Sequence, residues 1–126
     1  MNLGSKRCLA SQGGSDAVGT RMVLADCDTS DPSQGWTFDS DGTARDFAGA
    51  MCLDTSAAPG TGAPVVLAVC SPARQNNQNF KLKSSYDLVD VQPDLCVDAQ
   101  YKGTSAGTLL QLWKCEGTSN QKWRHP

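Results

Sequence analysis

The residues best suited to chemistry lie in the last third of the chain: Asp98, Gln111, Trp113, Asn120 and Gln121, with Tyr101 and Lys102 in the loop after Asp98. The set comprises a carboxylate, several amides and aromatic rings. A carboxylate accepts hydrogen bonds from two neighbouring hydroxyls, an amide adds a donor, and an aromatic covers a weakly polar C–H face. Together these groups suit recognition of a ring of hydroxyls. Reaction chemistry is poorly served. The single histidine, His125, is next to the terminus, and no serine or cysteine sits in a nucleophile context. Asp98 and Glu116 are a carboxylate pair of the kind glycosidases use, but such work needs a cleft around them. The chain is expected to be non-catalytic and to need no cofactor.

The elements that must position these residues recur three times. First cysteines fall at Cys8, Cys52 and Cys96, and second cysteines at Cys27, Cys70 and Cys115, a period near 44 residues. Each pair is followed by glutamine and, two positions on, an aromatic: Gln34 and Trp36, Gln78 and Phe80, Gln121 and Trp123. A period of this size means one supersecondary unit copied and packed on its siblings. Of the 15 pairings open to six cysteines, the repeat selects Cys8–Cys27, Cys52–Cys70 and Cys96–Cys115. Each closes an equivalent loop, for about 3 kcal/mol in the chain-entropy model. Disulfides at this density imply an oxidising, extracellular location.

The chain has 126 residues and a net charge of -2. That length fits one domain, and that charge offers no footprint for nucleic acid or an anionic membrane. No apolar run reaches the ~20 residues that cross a bilayer. The cysteines lack the tight pairs of a zinc site. Asp39, Asp41 and Gly42 resemble part of a calcium loop, but the other ligand positions are missing, and a hairpin turn between Trp36–Phe38 and Thr43–Phe47 is the better reading. Val65–Val69 and Thr108–Trp113 read as strands, and Ser56–Gly62 and Lys102–Gly107 as loops. Helix should be scarce, because no segment sustains a 3.6-residue apolar period. Three copies are too few for a propeller. Three four-stranded units closed into a barrel with a cap of hairpins solve the edge problem instead. Trp36, Phe80 and Trp123 then serve the core.

These features resemble the ricin B-chain-type lectins, also grouped as carbohydrate-binding module family 13. The resemblance rests on Cys-Leu/Val-Asp, a second cysteine 18 or 19 residues on, and a closing Asn-Gln-x-aromatic. It implies an all-β fold, a β-trefoil of subdomains α (1–45), β (46–87) and γ (88–126), forming one domain over 1–126. It also implies a pocket for galactose-type sugars lined by Asp98, Gln111, Trp113 and Asn120. Gln121 would buttress Asp98 or touch the ligand weakly, and Tyr101 and Lys102 are placed to meet a second sugar unit. The second repeat keeps Asp54, Asn77 and Gln78 but has Val66 and Ala68 where Gln111 and Trp113 stand. Without a ring its binding should be very weak, since each hydrogen bond largely replaces one to solvent. The first repeat has Ala10, Val23, Ala25 and Ser33 and should be dead. The first copy starts abruptly at Met1, so the expected context is a monomeric accessory module cut from a secreted glycoside hydrolase. A free-standing galactose-specific lectin and a xylan- or arabinan-binding module are the alternatives.

Overall fold

The computed structural model describes residues 1–55 and 59–125. Among them run ten strands: β1 Cys8–Ser11, β2 Met22–Ala25, β3 Thr37–Phe38, β4 Ala44–Asp46, β5 Met51–Thr55, β6 Val65–Val69, β7 Phe80–Leu82, β8 Leu88–Asp90, β9 Leu95–Ala99 and β10 Leu110–Trp113. One single-turn helix, α1 Gln75–Gln78, and short 3₁₀ turns complete the described elements. Residues 56–58 of the expected Ser56–Gly62 loop lie outside the described residues.

All neighbouring strands are antiparallel, in two four-stranded sheets, β3-β4-β5-β6 and β7-β8-β9-β10. The remaining unit, which holds the strands of the first repeat, differs from the expected four strands. Its β1–β2 pair is completed by segments from the two ends of the chain, which meet in a single bridge between Asn2 and Trp123. Leu3 N–H donates to Lys122 O at 2.8 Å beside it. Two short ends cannot form a ladder as long as a hairpin does, so one bridge replaces a strand pair.

The three units close on one another in a ring. Leu67 N–H donates to Thr20 O, Leu112 N–H to Ala63 O and Leu24 N–H to Thr108 O, each at 2.9 Å. Gly19, Gly62 and Gly107 return the bond to the same three leucines, and all three glycines have φ between 86 and 90°. That left-handed backbone is where glycine avoids the Cβ penalty. The leucines are fully buried in the core cluster, as are Met22, Val65 and Leu110, each two positions before one of them.

Trp123 and Phe80 are core residues, while Trp36 is half-buried against the cluster. Both indoles are satisfied by backbone: Trp36 Nε1 donates to Leu9 O and Trp123 Nε1 to Val97 O, each at 3.0 Å. Phe80 carries no donor, so the second unit needs no such acceptor. The β3–β4 connection is the expected hairpin turn, with Gly42 N–H donating to Asp39 O and Asp39 N–H to Thr43 O. The two acids of the suspected calcium loop are held by Arg45, at 3.1 Å for Asp39 and 2.8 Å for Asp41. No group of three or more metal-ligating side chains occurs among the described residues. The pairings Cys8–Cys27, Cys52–Cys70 and Cys96–Cys115 are all present.

Candidate functional site in the third repeat

β9 and β10 put the main groups in register: Asp98 is the cross-strand partner of Gln111, and Cys96 of Trp113. Because strand side chains alternate, Gln111 and Trp113 emerge on one face. The 3₁₀ turn Ser119–Gln121 then brings Asn120 and Gln121 up to Asp98. Asp98 is buried, and three amides converge on it. Gln121 Nε2 and Asn120 Nδ2 donate to Oδ2 at 2.9 and 3.0 Å, and Gln111 Nε2 reaches Oδ1 at 3.3 Å. Bonds to an ionised carboxylate are the strong kind, so the acid is held in one orientation.

Above it opens a cavity of about 250 Å³ lined by Asp98, Gln111, Trp113 and Asn120, with Tyr101, Lys102, Glu116 and Thr118 at its edges. Trp113 is 39% exposed, and its other side faces Gly62, where an added methyl would meet the ring. Asn120 Oδ1 is buried with no hydrogen-bond partner among the described residues. Tyr101 is 96% exposed. Tyr101 and Lys102 have φ of 54 and 56°, where the first repeat uses Gly13 and Gly14 on the same backbone path. A side chain in that region costs about 1–2 kcal/mol, so this repeat bears strain to set a tyrosine and a lysine at the cavity mouth.

Of the residues expected to meet a ligand, the structure gathers Asp98, Gln111, Trp113, Asn120, Tyr101 and Lys102 around one cavity. Gln121 stands behind it. It is fully buried, accepting from Glu116 N–H and donating to Lys114 O as well as to Asp98. Its place is that of a brace. One contributor escaped the sequence reading: Gln100 Nε2 donates to Gln111 Oε1 at 3.1 Å and fixes which end of that amide faces Asp98. The signal was available, since Gln100 follows Asp98 by two positions and shares its face.

The other two repeats lack this arrangement in different ways. In the first, Ala10 leaves no carboxylate, and Ser33 is fully buried, its Oγ accepting from Ser11 N–H. In the second, Asp54 is fully buried and Gln78 braces it at 2.8 Å, but Arg74 covers both carboxylate oxygens.

The family model for the ricin-type beta-trefoil lectin domain matches residues 1–123. The chain belongs to that family. A designed threefold-symmetric protein, ThreeFoil, superposes with a TM-score of 0.84 at 23% identity, over 98% of this chain and 93% of the other. The C-half of the earthworm R-type lectin, solved in complex with GalNAc, gives 0.80 at 18% identity over 96 and 90%. A non-toxic homologue of type II ribosome-inactivating proteins from bitter gourd, Momordica charantia, solved with α-methyl-D-galactoside, gives 0.80 at 28% identity, covering 94% of this chain and 42% of that one. Among curated proteins, Serine protease 1 of Rarobacter faecitabidus is 48% identical over 42 residues. That match spans 33% of this chain and 8% of the protease.

Proposed function

We propose that the domain binds a galactose-type sugar in the third-repeat cavity and acts as the targeting module of a secreted hydrolase. One observation carries the reading. Of two carboxylates braced identically by glutamine, Asp98 opens on a cavity beside an exposed tryptophan, whereas Asp54 is capped. Two neighbouring hydroxyls donate to Asp98, and Asn120 Oδ1 offers one further acceptor. The C–H face that an axial hydroxyl leaves on a galactose ring stacks on Trp113. The galactoside complex of the bitter-gourd protein supports this sugar class. Tyr101 and Lys102 extend the site towards a second unit.

One shallow site of this size binds a monosaccharide with Kd of about 0.1–10 mM, or about 3–5 kcal/mol. Tethering makes that sufficient, because linkage raises the local concentration of the attached partner at the glycan surface. The partial relative is a serine protease, and it shares with the glycoside hydrolase expected from sequence the broader class of polymer-cleaving hydrolases, to which this domain would be attached as a monomeric appendage. Three disulfides fit that export.

Titration with galactose, lactose and xylose, followed by tryptophan fluorescence, tests the site. Saturation by the galactosides, lost in Trp113→Ala and in Asp98→Asn with the fold unchanged, is expected. No saturable response to any sugar, or an undiminished one in Trp113→Ala, overturns the reading.

A further inference from the structure

The second repeat holds most of the same site, and its carboxylate is already occupied from within. Asp54 pairs across the strands with Val66, as Asp98 does with Gln111, and Gln78 holds it as Gln121 holds Asp98. Arg74 then donates from Nε to Oδ2 at 2.6 Å and from Nη2 to Oδ1 at 2.7 Å, with a further bond from Nη2 to Thr55 O at 3.0 Å. Two parallel N–H donors on one carboxylate are the pattern that two neighbouring hydroxyls would otherwise make. The pairing with Asp54 also raises the pKa of Arg74, so the clamp stays charged at any ordinary pH.

The arginine is delivered by a local change in chain length. Seven positions separate Cys70 from Asn77, but five separate Cys115 from Asn120. The longer segment folds as the 3₁₀ turn Pro72–Arg74 running into α1, capped where Ser71 Oγ accepts from Ala73 N–H. Three residues before the asparagine stands Arg74 in the second repeat and Gly117, with no side chain to offer, in the third. The rest of a pocket remains. A cavity of about 420 Å³ is lined by Asp54, Val66, Ala68 and Gly19, with Arg74 in its wall. Gly19 stands to position 68 as Gly62 stands to Trp113, and a Cβ there meets nothing within 4 Å.

We infer that Arg74 is the residue that sets the number of sugar sites: it occupies the second-repeat carboxylate clamp as an internal substitute for ligand hydroxyls, and its removal opens a second galactose site. The missing ring at Ala68 weakens that site; Arg74 closes it. This rests on the reading of the third-repeat cavity as the sugar site, and the test keeps the two apart.

The test uses the whole domain in two forms, Ala68→Trp alone and Ala68→Trp with Arg74→Ala. Ala68 is buried, but it lines the second-repeat cavity and stands outside the core cluster, so a ring there has the cavity to enter rather than the core. Ala68→Tyr is a smaller ring for the same purpose if the indole impairs folding. Galactose is added while the indole or ring resonances are followed by NMR, with Trp36 and Trp123 reporting an intact fold. With Arg74 present, the introduced ring should show no saturable shift while Trp113 titrates normally. With Arg74→Ala, the introduced ring should titrate with a midpoint within about tenfold of that of Trp113, a gap of about 1.4 kcal/mol. A response of the introduced ring while Arg74 remains, or none after its removal while Trp113 still titrates, overturns the assignment of Arg74. Silence of Trp113 in both proteins overturns the sugar-site reading, and this assignment with it.

Discussion

Gln121 Nε2 donates to Asp98 Oδ2 across 23 residues of sequence at 2.9 Å, joining the closing turn of the third repeat to the strand that carries the carboxylate. The same amide donates to Lys114 O, and its oxygen accepts from Glu116 N–H. Gln78 repeats these contacts with Asp54, Val69 O and Ser71 N–H. In the first repeat, where Ala10 replaces the acid, Gln34 keeps the backbone contacts, with Asp26 O and Asp28 N–H, and its Nε2 also donates to Asp31 Oδ2 at 3.3 Å. The glutamine is thus a fold residue that the third repeat also uses to aim its acid.

That double role predicts a separation of effects. Gln121→Leu strands the buried Asp98 and two backbone groups, at about 1–3 kcal/mol for each unsatisfied group. It should lower the melting temperature and weaken galactose binding at least tenfold, though Gln121 does not line the cavity. Gln34→Leu frees backbone groups that water can reach, so it should lower the melting temperature less and leave the galactose midpoint unchanged. Calorimetric melting together with fluorescence titration of both variants checks this. Equal loss of binding in the two would show that the effect passes through global stability.

The ring of glycines gives a second prediction. Gly19, Gly62 and Gly107 have φ near 90° in equivalent places. At Gly19 and Gly107 an added Cβ meets nothing within 4 Å, so alanine there suffers only from the backbone conformation, about 1–2 kcal/mol. At Gly62 the same methyl also meets the Trp113 ring. Gly107→Ala and Gly62→Ala should therefore lower stability alike in denaturant unfolding, while only Gly62→Ala shifts the Trp113 emission and the galactose midpoint. A binding change in Gly107→Ala would contradict the local account.

Much of this was legible from spacing, because three copies of one unit separate what the fold needs from what one copy adds. The cysteines, the glutamines and the aromatics at 36, 80 and 123 recur, and the structure gives them to disulfides, braces and packing. Trp113 stands where Ala68 and Ala25 stand, and it is exposed on a cavity. The Arg74 clamp was hidden for a physical reason. A guanidinium on a long stem reaches an acid 20 residues away in sequence, and no local pattern encodes that reach. The chain-end unit was equally hidden, since neither Asn2 nor Trp123 carries a strand-like run of its own.

The buried acids were the other hidden feature, and they carry the last prediction. Asn2, Asp46 and Asp90 stand 44 residues apart in equivalent places, all buried. Asn2 Nδ2 donates to Asn120 O at 3.1 Å, as an amide can. An ionised carboxylate cannot donate, and both oxygens of Asp46 and Oδ2 of Asp90 have no partner among the described residues. Burial pushes Asp46 up to about 8, with the charge of Asp31 adding to the effect, and Asp90 up to about 7, with Asp54 adding. A folded-state pKa above the unfolded one means that the native protein binds more protons, so ∂ΔG/∂pH is negative between the two values. The stabilisation is complete below the ordinary carboxylate range and is lost as pH rises through about 7 for Asp90 and about 8 for Asp46. The melting temperature should accordingly fall between about pH 4 and about pH 8, from the ordinary carboxylate value to the raised ones, and level off above them. Asp46→Asn and Asp90→Asn imitate the Asn2 solution, and each should flatten that decline and make the domain more stable than the parent at pH 9. A parent melting temperature that is level across this range, or variants less stable than the parent at pH 9, would show that both acids ionise without cost.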